Sequence, residues 1–398
     1  MRVEAPAATS RRLELADVFR AHGDRLEGLA SQQKRAVRSI TSCRTAALGG
    51  HVQTCDTCGH EEVRYNSCRD RHCPKCGGLA KARWVEGRQR DVLPVEYHHV
   101  VFTIPEELHP LFLANSRLAY DLLFSATAQT LLEVAANPKN LGARIGFTAV
   151  LHTWTQKLLY HPHIHVVVPG GGVSPTGDRW VSAKPGFFLP VKVLSIVFRG
   201  KLLSALEEAC RSGRIGSPAG TQIAQILSAA AKKSWVVYSK PPVAGAKQVI
   251  EYLSRYTHRI AISNERLVSM DGDQVTFRWK DRAHGNRPRA MVLDAVQFLK
   301  RFLLHVLPSR LVRIRHYGFL ANAVRRREVP RCRALLEAPQ HGERLQESLK
   351  ETWQDLLLRL TGRDVLRCPT CHRGRMHTTE EIPTQTLRWR VPGRGLAS

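Results

Sequence analysis

The sequence predicts an α+β fold, and three observations carry that prediction. Apolar, β-rich segments alternate along the chain with segments of helical apolar spacing. Neighbouring strand candidates are joined by loops short enough for antiparallel pairing. Six of the ten cysteines lie between Cys43 and Cys76, in a stretch too polar for an ordinary core, which favours a small module held together by metal.

The predicted elements follow one another from the N-terminus. Helical apolar spacing without proline covers residues 11–46, and the Gly- and Cys-rich module covers residues 47–80. Strands are predicted at "VEYHHVVFTIP", "RIGFTAVLHTW", "HIHVVVPGGG" and "SWVVYS", and a hairpin at "RLVSMDGDQVTFRWK", where Asp271-Gly272 is a turn signal. Helices are predicted over about 109–136, 190–233 and 246–260, and helical, basic sequence fills much of the rest. Strands interleaved with helices in this way indicate an α+β core.

The chain is strongly basic along its whole length. Its 398 residues include 60 Lys and Arg against 34 Asp and Glu, a formal net charge of +26. The positive electrostatic field of such a chain attracts a polyanion, and nucleic acid is the commonest polyanion. The sequence contains no recognisable long apolar stretch, basic amphipathic anchor or apolar leader, so we expect no membrane partner and a cytoplasmic location where thiols stay reduced.

The cysteine spacing predicts a structural zinc site. The pair Cys55 and Cys58 is followed, after fourteen residues, by the pair Cys73 and Cys76. Each CxxC turn supplies two thiolates to a tetrahedral ion. Four thiolates leave no open coordination position, so this zinc is expected to hold the fold and not to catalyse.

Two further groups of residues suggest additional zinc sites. Near the C-terminus, "CPTCHRGRMH" supplies Cys368 and Cys371, with His372 and His377 close by. That is half of a zinc site, and the sequence does not identify the other half. Four further residues around the first module could form a second zinc site, although their spacing fits no familiar pattern. They are Cys43, His51, Cys68 and His72.

Basic side chains also surround the predicted zinc module. They make the module a candidate DNA contact surface, and the alternative is a solvated basic face without a ligand. The residues concerned are Arg64, Arg69, Arg71, Lys75, Lys81 and Arg83.

Two histidines are placed side by side on one predicted strand. In "HPHIHVVVP" the alternation of a strand puts His163 and His165 on one face and Ile164 on the other, as a shared metal would require. The preceding strand offers His152 as a third ligand across a short loop. The alternative is a pair of ordinary polar-face residues, because H-x-H alone is a weak motif.

Two tyrosines are stacked one turn apart on a predicted helix. Tyr252 and Tyr256 lie in "AKQVIEYLSRYTHRI", flanked by Arg255 and Arg259. A tyrosine that attacks a phosphodiester needs cations nearby, because they neutralise the phosphate and favour phenolate. Packing in the core is the alternative, since Val249 and other apolar residues lie close to the same stripe.

Together these residues resemble the rolling-circle transposases of the insertion-sequence ninety-one family. The matching segments are "SCRDRHCPKC", "HTWTQKLLYHPHIHVVVPGGG", "YLSRYTHRIAIS" and "RHYGFLA", in the order of the family. The resemblance implies a central antiparallel sheet flanked by helices, with an N-terminal zinc ribbon. It also implies that His163 and His165 bind Mg²⁺ or Mn²⁺, with His152 as third ligand, and that Tyr252 and Tyr256 are the nucleophiles, Tyr256 first.

The activity implied is cutting and joining of single-stranded transposon ends and target DNA through a 5′-phosphotyrosine, with a free 3′-OH for host replication to extend. A bacterial protein associated with the nucleoid is expected. We divide the chain into an N-terminal helix and zinc-binding domain (1–92), a catalytic domain (93–330) and a basic C-terminal tail with a CxxC knuckle (331–398).

Three alternatives remain open at the level of sequence. A non-catalytic zinc-ribbon DNA-binding regulator explains the cysteines and the charge, but it leaves the histidines and tyrosines without a use. A zinc hydrolase would use His152, His163 and His165 with water as nucleophile, and would not need the tyrosines. An inactive transposon remnant is the third alternative, although every motif is whole.

Overall fold

The computed structural model describes residues 12–218, 220, 222–243, 248–249, 260–281, 284–337 and 352–385. Ten α-helices are described within these ranges: α1 Leu15–His22, α2 Ser31–Ser42, α3 Gly78–Gln89, α4 His109–Ala114, α5 Ser116–Ala136, α6 Val191–Arg211, α7 Ile223–Ala231, α8 Ala295–Leu303, α9 Arg325–Leu335 and α10 Trp353–Thr361. Short 3₁₀ turns lie at Gly23–Arg25, Ala46–Leu48, Glu106–Leu108 and Asn264–Arg266.

Thirteen strands are described in the same ranges. They are β1 Gly50–Cys55, β2 Glu61–Tyr65, β3 Tyr97–Thr103, β4 Gly146–Trp154, β5 Tyr160–Pro169, β6 Gly171–Val173, β7 Trp180–Ser182, β8 Val237–Val243, β9 Leu267–Asp271, β10 Gln274–Asp281, β11 Arg287–Asp294, β12 Ile314–Gly318 and β13 Met376–Ile382. All described strand pairs are antiparallel, so the predicted α+β class with antiparallel sheets flanked by helices is confirmed.

A five-stranded sheet in the order β12-β4-β5-β3-β8 forms the centre of the molecule. Its strands β4 and β5 are almost continuously buried, and β4 is buried at every position. One face of the sheet packs against α4, α5 and α6 through the main hydrophobic core, which includes Ile164, Val166 and Val168. The predicted hairpin of "GFTAVLHTW" and "HIHVVVP" is confirmed, with His152 opposite His163 across the ladder.

A second core lies between the N-terminal helices and the small sheet β9-β10-β11. It includes Leu15 of α1, Ile40 of α2, Phe277 of β10 and Phe298 of α8. The turn predicted at Asp271-Gly272 joins β9 to β10, and Gly272 has a φ of 51°, a value that suits glycine. This packing places the N-terminal helices next to the β9–β11 sheet.

Two helical predictions were too long. The 11–46 stretch contains two helices, because the chain turns at Gly23–Arg25 and Gly28 takes a φ of 66°. The 190–233 stretch likewise contains α6 and α7, separated near Gly213 with a φ of 68°. Glycine with a positive φ lies at both breaks, and a positive φ ends a helix.

The third sheet joins distant parts of the sequence. Strand β1 pairs with β2 on one side and with β13, more than 300 residues later, on the other. Among the described residues, no helix is long and apolar enough to cross a membrane.

Candidate active site and cysteine clusters

Three histidines converge on the sheet face opposite the main core. His152 on β4, and His163 and His165 on β5, offer ring nitrogens that all lie within 4.8 Å of one another. The Nε2 atoms of His163 and His165 are 3.0 Å apart. The alternation of β5 produces this arrangement, because Ile164 between the two histidines is fully buried in the core on the other face. The side-by-side placement inferred from the sequence is therefore present.

Hydrogen bonds orient the rings of this cluster. His163 Nδ1 lies 2.6 Å from the carbonyl oxygen of His161, which only accepts, so Nδ1 carries the proton and Nε2 keeps its lone pair. His165 Nδ1 lies 2.7 Å from Nε2 of His99 on β3, and the two rings stack. With His165 Nδ1 donating to His99, its Nε2 is also available as a ligand.

The electrostatic environment keeps His165 neutral. Burial, followed by the neighbouring charges of His152 and His163, lowers the pKa of His165 well below its ordinary value. A neutral imidazole is the form that binds metal. The side chain is therefore in its ligating form at neutral pH.

The donor set fits a six-coordinate divalent ion. Two nitrogens at about 2.1 Å from Mg²⁺ or Mn²⁺ and at right angles are about 3.0 Å apart, which agrees with the Nε2 separation of His163 and His165. Three histidines on one side of such an ion leave the remaining positions to oxygen ligands. His152 stacks on Trp154 and lies 4.5 Å, between ring centroids, from His165.

Two residues of this face were not identified from the sequence. His99 is paired with Lys240 across the β3–β8 ladder, and the Lys240 charge is among the causes that lower the pKa of His165. The dipeptide His98-His99 in a predicted strand was a signal for His99, because one of two adjacent strand histidines must face the other histidines. Lys240 had no such signal.

The predicted nucleophiles lie outside the described residues. Tyr252, Tyr256, Arg255 and Arg259 all fall in the stretch 250–259, for which the structure gives no description. The nearest described residue before them is Val249, which is buried. It belongs to a small apolar cluster with Val92, Tyr97 and Val167, on the histidine face of the sheet.

The cysteines form two clusters, and neither is the predicted one. One consists of Cys43, Cys68, Cys73 and Cys76, and the other of Cys55, Cys58, Cys368 and Cys371. The predicted set of Cys55, Cys58, Cys73 and Cys76 is divided between them. The error came from pairing the CxxC turns that are neighbours in sequence, whereas β1 and β2 direct the first turn away from the second and towards the C-terminal one.

The first cluster is embedded in the second core. Cys43 and Cys73 are buried there with apolar residues of α1 and α2. The Sγ of Cys76 lies 3.5 Å from that of Cys43 and 3.6 Å from that of Cys68. His72, one of the candidates for a second site, accepts a hydrogen bond from Leu307 N instead and pairs with Asp70.

Arg71 and Lys75, which belong to the six basic residues around the zinc module predicted to contact DNA, have internal partners. Arg71 donates to the carbonyls of Leu311 and Pro308, both at 2.6 Å, and Lys75 pairs with Glu14 at 2.8 Å. These side chains fasten the module to the rest of the protein, so their assignment to DNA contact is corrected. Arg69 is exposed and keeps that assignment as a prediction.

Comparison with known proteins points to one family. Residues 146–328 match a family described as "Putative transposase", and residues 14–104 match one described as "Transposase zinc-binding domain". The chain is 48% identical to "Putative transposase y4qJ" of Sinorhizobium fredii, over 92% of this chain and 95% of the relative. It is 28% identical to the transposase for insertion sequence element IS801 of Pseudomonas savastanoi pv. phaseolicola, over 75% and 72% respectively. No solved structure gives a significant match.

Proposed function

Because this chain belongs to the insertion-sequence ninety-one family of transposases, we propose that it cuts and rejoins single-stranded DNA during rolling-circle transposition. The proposed reaction is a metal-dependent transesterification at the ends of the element, with a tyrosine as nucleophile. It proceeds through a 5′-phosphotyrosine and releases a 3′-OH that host replication extends.

One observation carries this proposal: the histidine cluster of His152, His163 and His165. The three imidazoles converge on one sheet face, and hydrogen bonds to His161 and His99 orient the rings of His163 and His165. An ordinary solvent-facing strand surface does not need such an arrangement. A non-catalytic DNA-binding regulator would have no use for them. A bound Mg²⁺ or Mn²⁺ would polarise the scissile phosphate and offset charge in the transition state.

The tyrosines that the structure describes offer two alternatives for the nucleophile. Among the six tyrosines that the structure describes, Tyr97 and Tyr238 lie on the histidine face. Tyr97 is buried, its hydroxyl accepts a hydrogen bond from Leu93 N, and burial raises its pKa, so it is a poor nucleophile. Tyr238 is exposed on the edge strand β8, two strands from His165.

We assign the nucleophiles to Tyr252 and Tyr256, with Tyr256 acting first. Val249, three residues before Tyr252, packs in the apolar cluster on the histidine face, and this contact supports the assignment. Arg255 and Arg259 would neutralise the phosphate. The phosphotyrosine stores the energy of the broken phosphodiester bond, so the attack of a DNA 3′-OH on it reseals the strand without ATP.

The proposed partners are single-stranded transposon ends, target DNA and the host replication machinery, with a location at the nucleoid. The net charge of +26 supports a polyanionic partner, because each phosphate neutralised by Lys or Arg releases a counterion. The charge of Lys240, which pairs with His99 across the ladder, supports binding of a phosphate near the histidine cluster.

A covalent-adduct assay tests the proposal. Full-length protein is incubated with labelled single strands carrying the element ends and Mn²⁺, and adducts are separated under denaturing conditions. The wild type is expected to form an adduct. Tyr256→Phe should lose the first adduct, and Tyr252→Phe should keep it but fail to transfer the strand. Each substitution keeps the ring and removes only the hydroxyl.

Tyr238→Phe is the matched control, since this tyrosine shares the sheet face and is exposed. His163→Ala and His165→Ala should abolish adduct formation but leave DNA binding, which depends on many cations. Adduct formation by the Tyr252→Phe, Tyr256→Phe double variant would refute the assigned nucleophiles, and its loss in Tyr238→Phe would move the assignment there. Strand cleavage without any adduct would favour a hydrolase that uses water.

A further inference from the structure

We propose that Cys55, Cys58, Cys368 and Cys371 bind a second structural zinc that closes the two ends of the chain into one module. The transposase zinc-binding match ends at residue 104, so it includes only the first two of these cysteines. The second pair lies more than 300 residues further along. This site is separate from the cluster of Cys43, Cys68, Cys73 and Cys76.

The distances between sulfur atoms fit tetrahedral zinc. Cys55 Sγ lies 3.8 Å from Cys371 Sγ, and Cys58 Sγ lies 3.7 Å from Cys368 Sγ. Four sulfurs at about 2.3 Å from a central ion are about 3.8 Å apart along each edge of the tetrahedron. A disulfide would need a separation of about 2.05 Å, so the geometry is that of a metal site.

The backbone around both CxxC turns is arranged as in zinc knuckles. Thr57 N donates to Cys55 Sγ at 3.4 Å, and Gly374 N donates to Cys371 Sγ at 3.3 Å. Such N–H groups stabilise thiolates, the form that binds zinc. Gly374 lies so close to Cys55 that an added Cβ would collide with its sulfur. The two turns therefore approach each other through a contact that requires glycine.

The sheet that carries the site has almost no apolar core of its own. Strand β2 has no buried position, and β13 is exposed along most of its length. The apolar cluster of this sheet consists of Cys55, Cys368 and Met376, with Cys371 partly buried beside them. So little apolar burial does not offset the conformational entropy that the sheet loses on folding. Metal coordination would supply the stabilising free energy that the sheet needs.

The site makes the C-terminal segment part of the zinc-binding unit. Residues 376–382 pair with β1, and Arg359 of α10 forms an ion pair with Glu86 of α3 at 2.7 Å. We therefore assign 352–385 to this unit in place of a separate tail. The second zinc site is complete only in a chain that has been synthesised beyond Cys371, so a truncated transposase would carry the first zinc alone.

Zinc stoichiometry tests this proposal without reference to catalysis. Purified full-length protein is expected to hold about two zinc ions per chain. The Cys368→Ala, Cys371→Ala double variant should hold about one, and the matched Cys210→Ala, Cys332→Ala variant about two, because neither of these cysteines belongs to a cluster. A wild type with one zinc, or a Cys368/Cys371 variant that keeps two, would overturn the proposal.

Thiol labelling of the wild type tests the second zinc site even if the Cys368→Ala, Cys371→Ala variant does not fold. Cys58 is exposed, so its thiol would be accessible to a maleimide if it were free. With zinc bound, Cys58, Cys368 and Cys371 should be protected, and a chelator should release them together with Cys55. The partly exposed Cys210 should be labelled with or without chelator. Labelling of Cys58 at the rate of Cys210 before chelation would refute the site.

Discussion

At the residue scale, the candidate active site depends on which ring nitrogen each histidine presents. His161 contributes a backbone carbonyl to Nδ1 of His163, and His99 contributes a ring nitrogen to Nδ1 of His165. Each of these contacts leaves Nε2 of His163 or His165 facing the other. Positioning residues of this kind are as necessary as the ligands, because they determine the tautomer and the ring orientation.

Replacing His99 is therefore expected to weaken metal binding. His99→Phe keeps a ring of similar size and removes the nitrogen that contacts His165. The affinity for Mn²⁺, measured by calorimetry on the full-length protein, should fall about 10- to 100-fold. His98→Phe is the matched control, since His98 lies on the same strand and stacks on Phe188, away from the cluster. Equal affinities for the two variants would exclude the positioning role of His99.

At the element scale, the N-terminal zinc module is fastened directly to the segment that precedes β12. Arg71 donates to the carbonyls of Pro308 and Leu311, and His72 accepts from Leu307 N. Further along, Trp84 of α3 stacks on His316 of β12, which in turn contacts Thr148 of β4. The zinc module therefore supports the sheet that carries the histidines.

Removing the contacts of Arg71 should lower the free energy of unfolding and leave the affinity for DNA unchanged. Arg71→Ala leaves two carbonyls without their charged donor, and we expect a loss of about 2–3 kcal/mol in the free energy of unfolding, measured with urea. Arg69→Ala, two residues away and exposed, should leave stability unchanged and weaken binding to DNA. A reversal of these two results would return Arg71 to the DNA-contacting surface.

At the scale of the whole molecule, buried and half-buried histidines make the fold sensitive to acid. Burial lowers the pKa of His109, His305 and His316 to about 4 from an ordinary value of 6.5. The unfolded chain therefore binds more protons than the folded one between about pH 6.5 and 4. Stability is fully present above that window and falls as the pH falls through it.

Urea unfolding at a series of pH values measures this loss. His305 contacts Leu158 O and Thr153, and His305→Gln should reduce the slope of stability against pH in this window, whatever its effect at neutral pH. His372→Gln, at an exposed position, should keep the wild-type slope. Identical slopes in all three proteins would show that His305 is not protonated on unfolding.

The sequence by itself determined the α+β class, the β4–β5 hairpin and the shared face of His152, His163 and His165. These features follow from local rules: alternation assigns strand faces, and a short loop brings neighbouring strands together. It also picked out the cysteine turns at Cys55, Cys73 and Cys368 as candidate metal ligands, because each turn is defined by neighbouring residues.

Only the tertiary structure decided which cysteine turns lie together. Tetrahedral zinc requires four thiolates at one point in space, and spacing along the chain does not specify which turns meet there. The pairing of β1 with β13 brings Cys368 and Cys371 to Cys55 and Cys58, and the second core brings Cys43 and Cys68 to Cys73 and Cys76. Only the tertiary structure also brought His99 and Lys240 to the histidine face. They reach it through pairing of strands that are far apart in sequence, and no local sequence pattern specifies the register of such a pair.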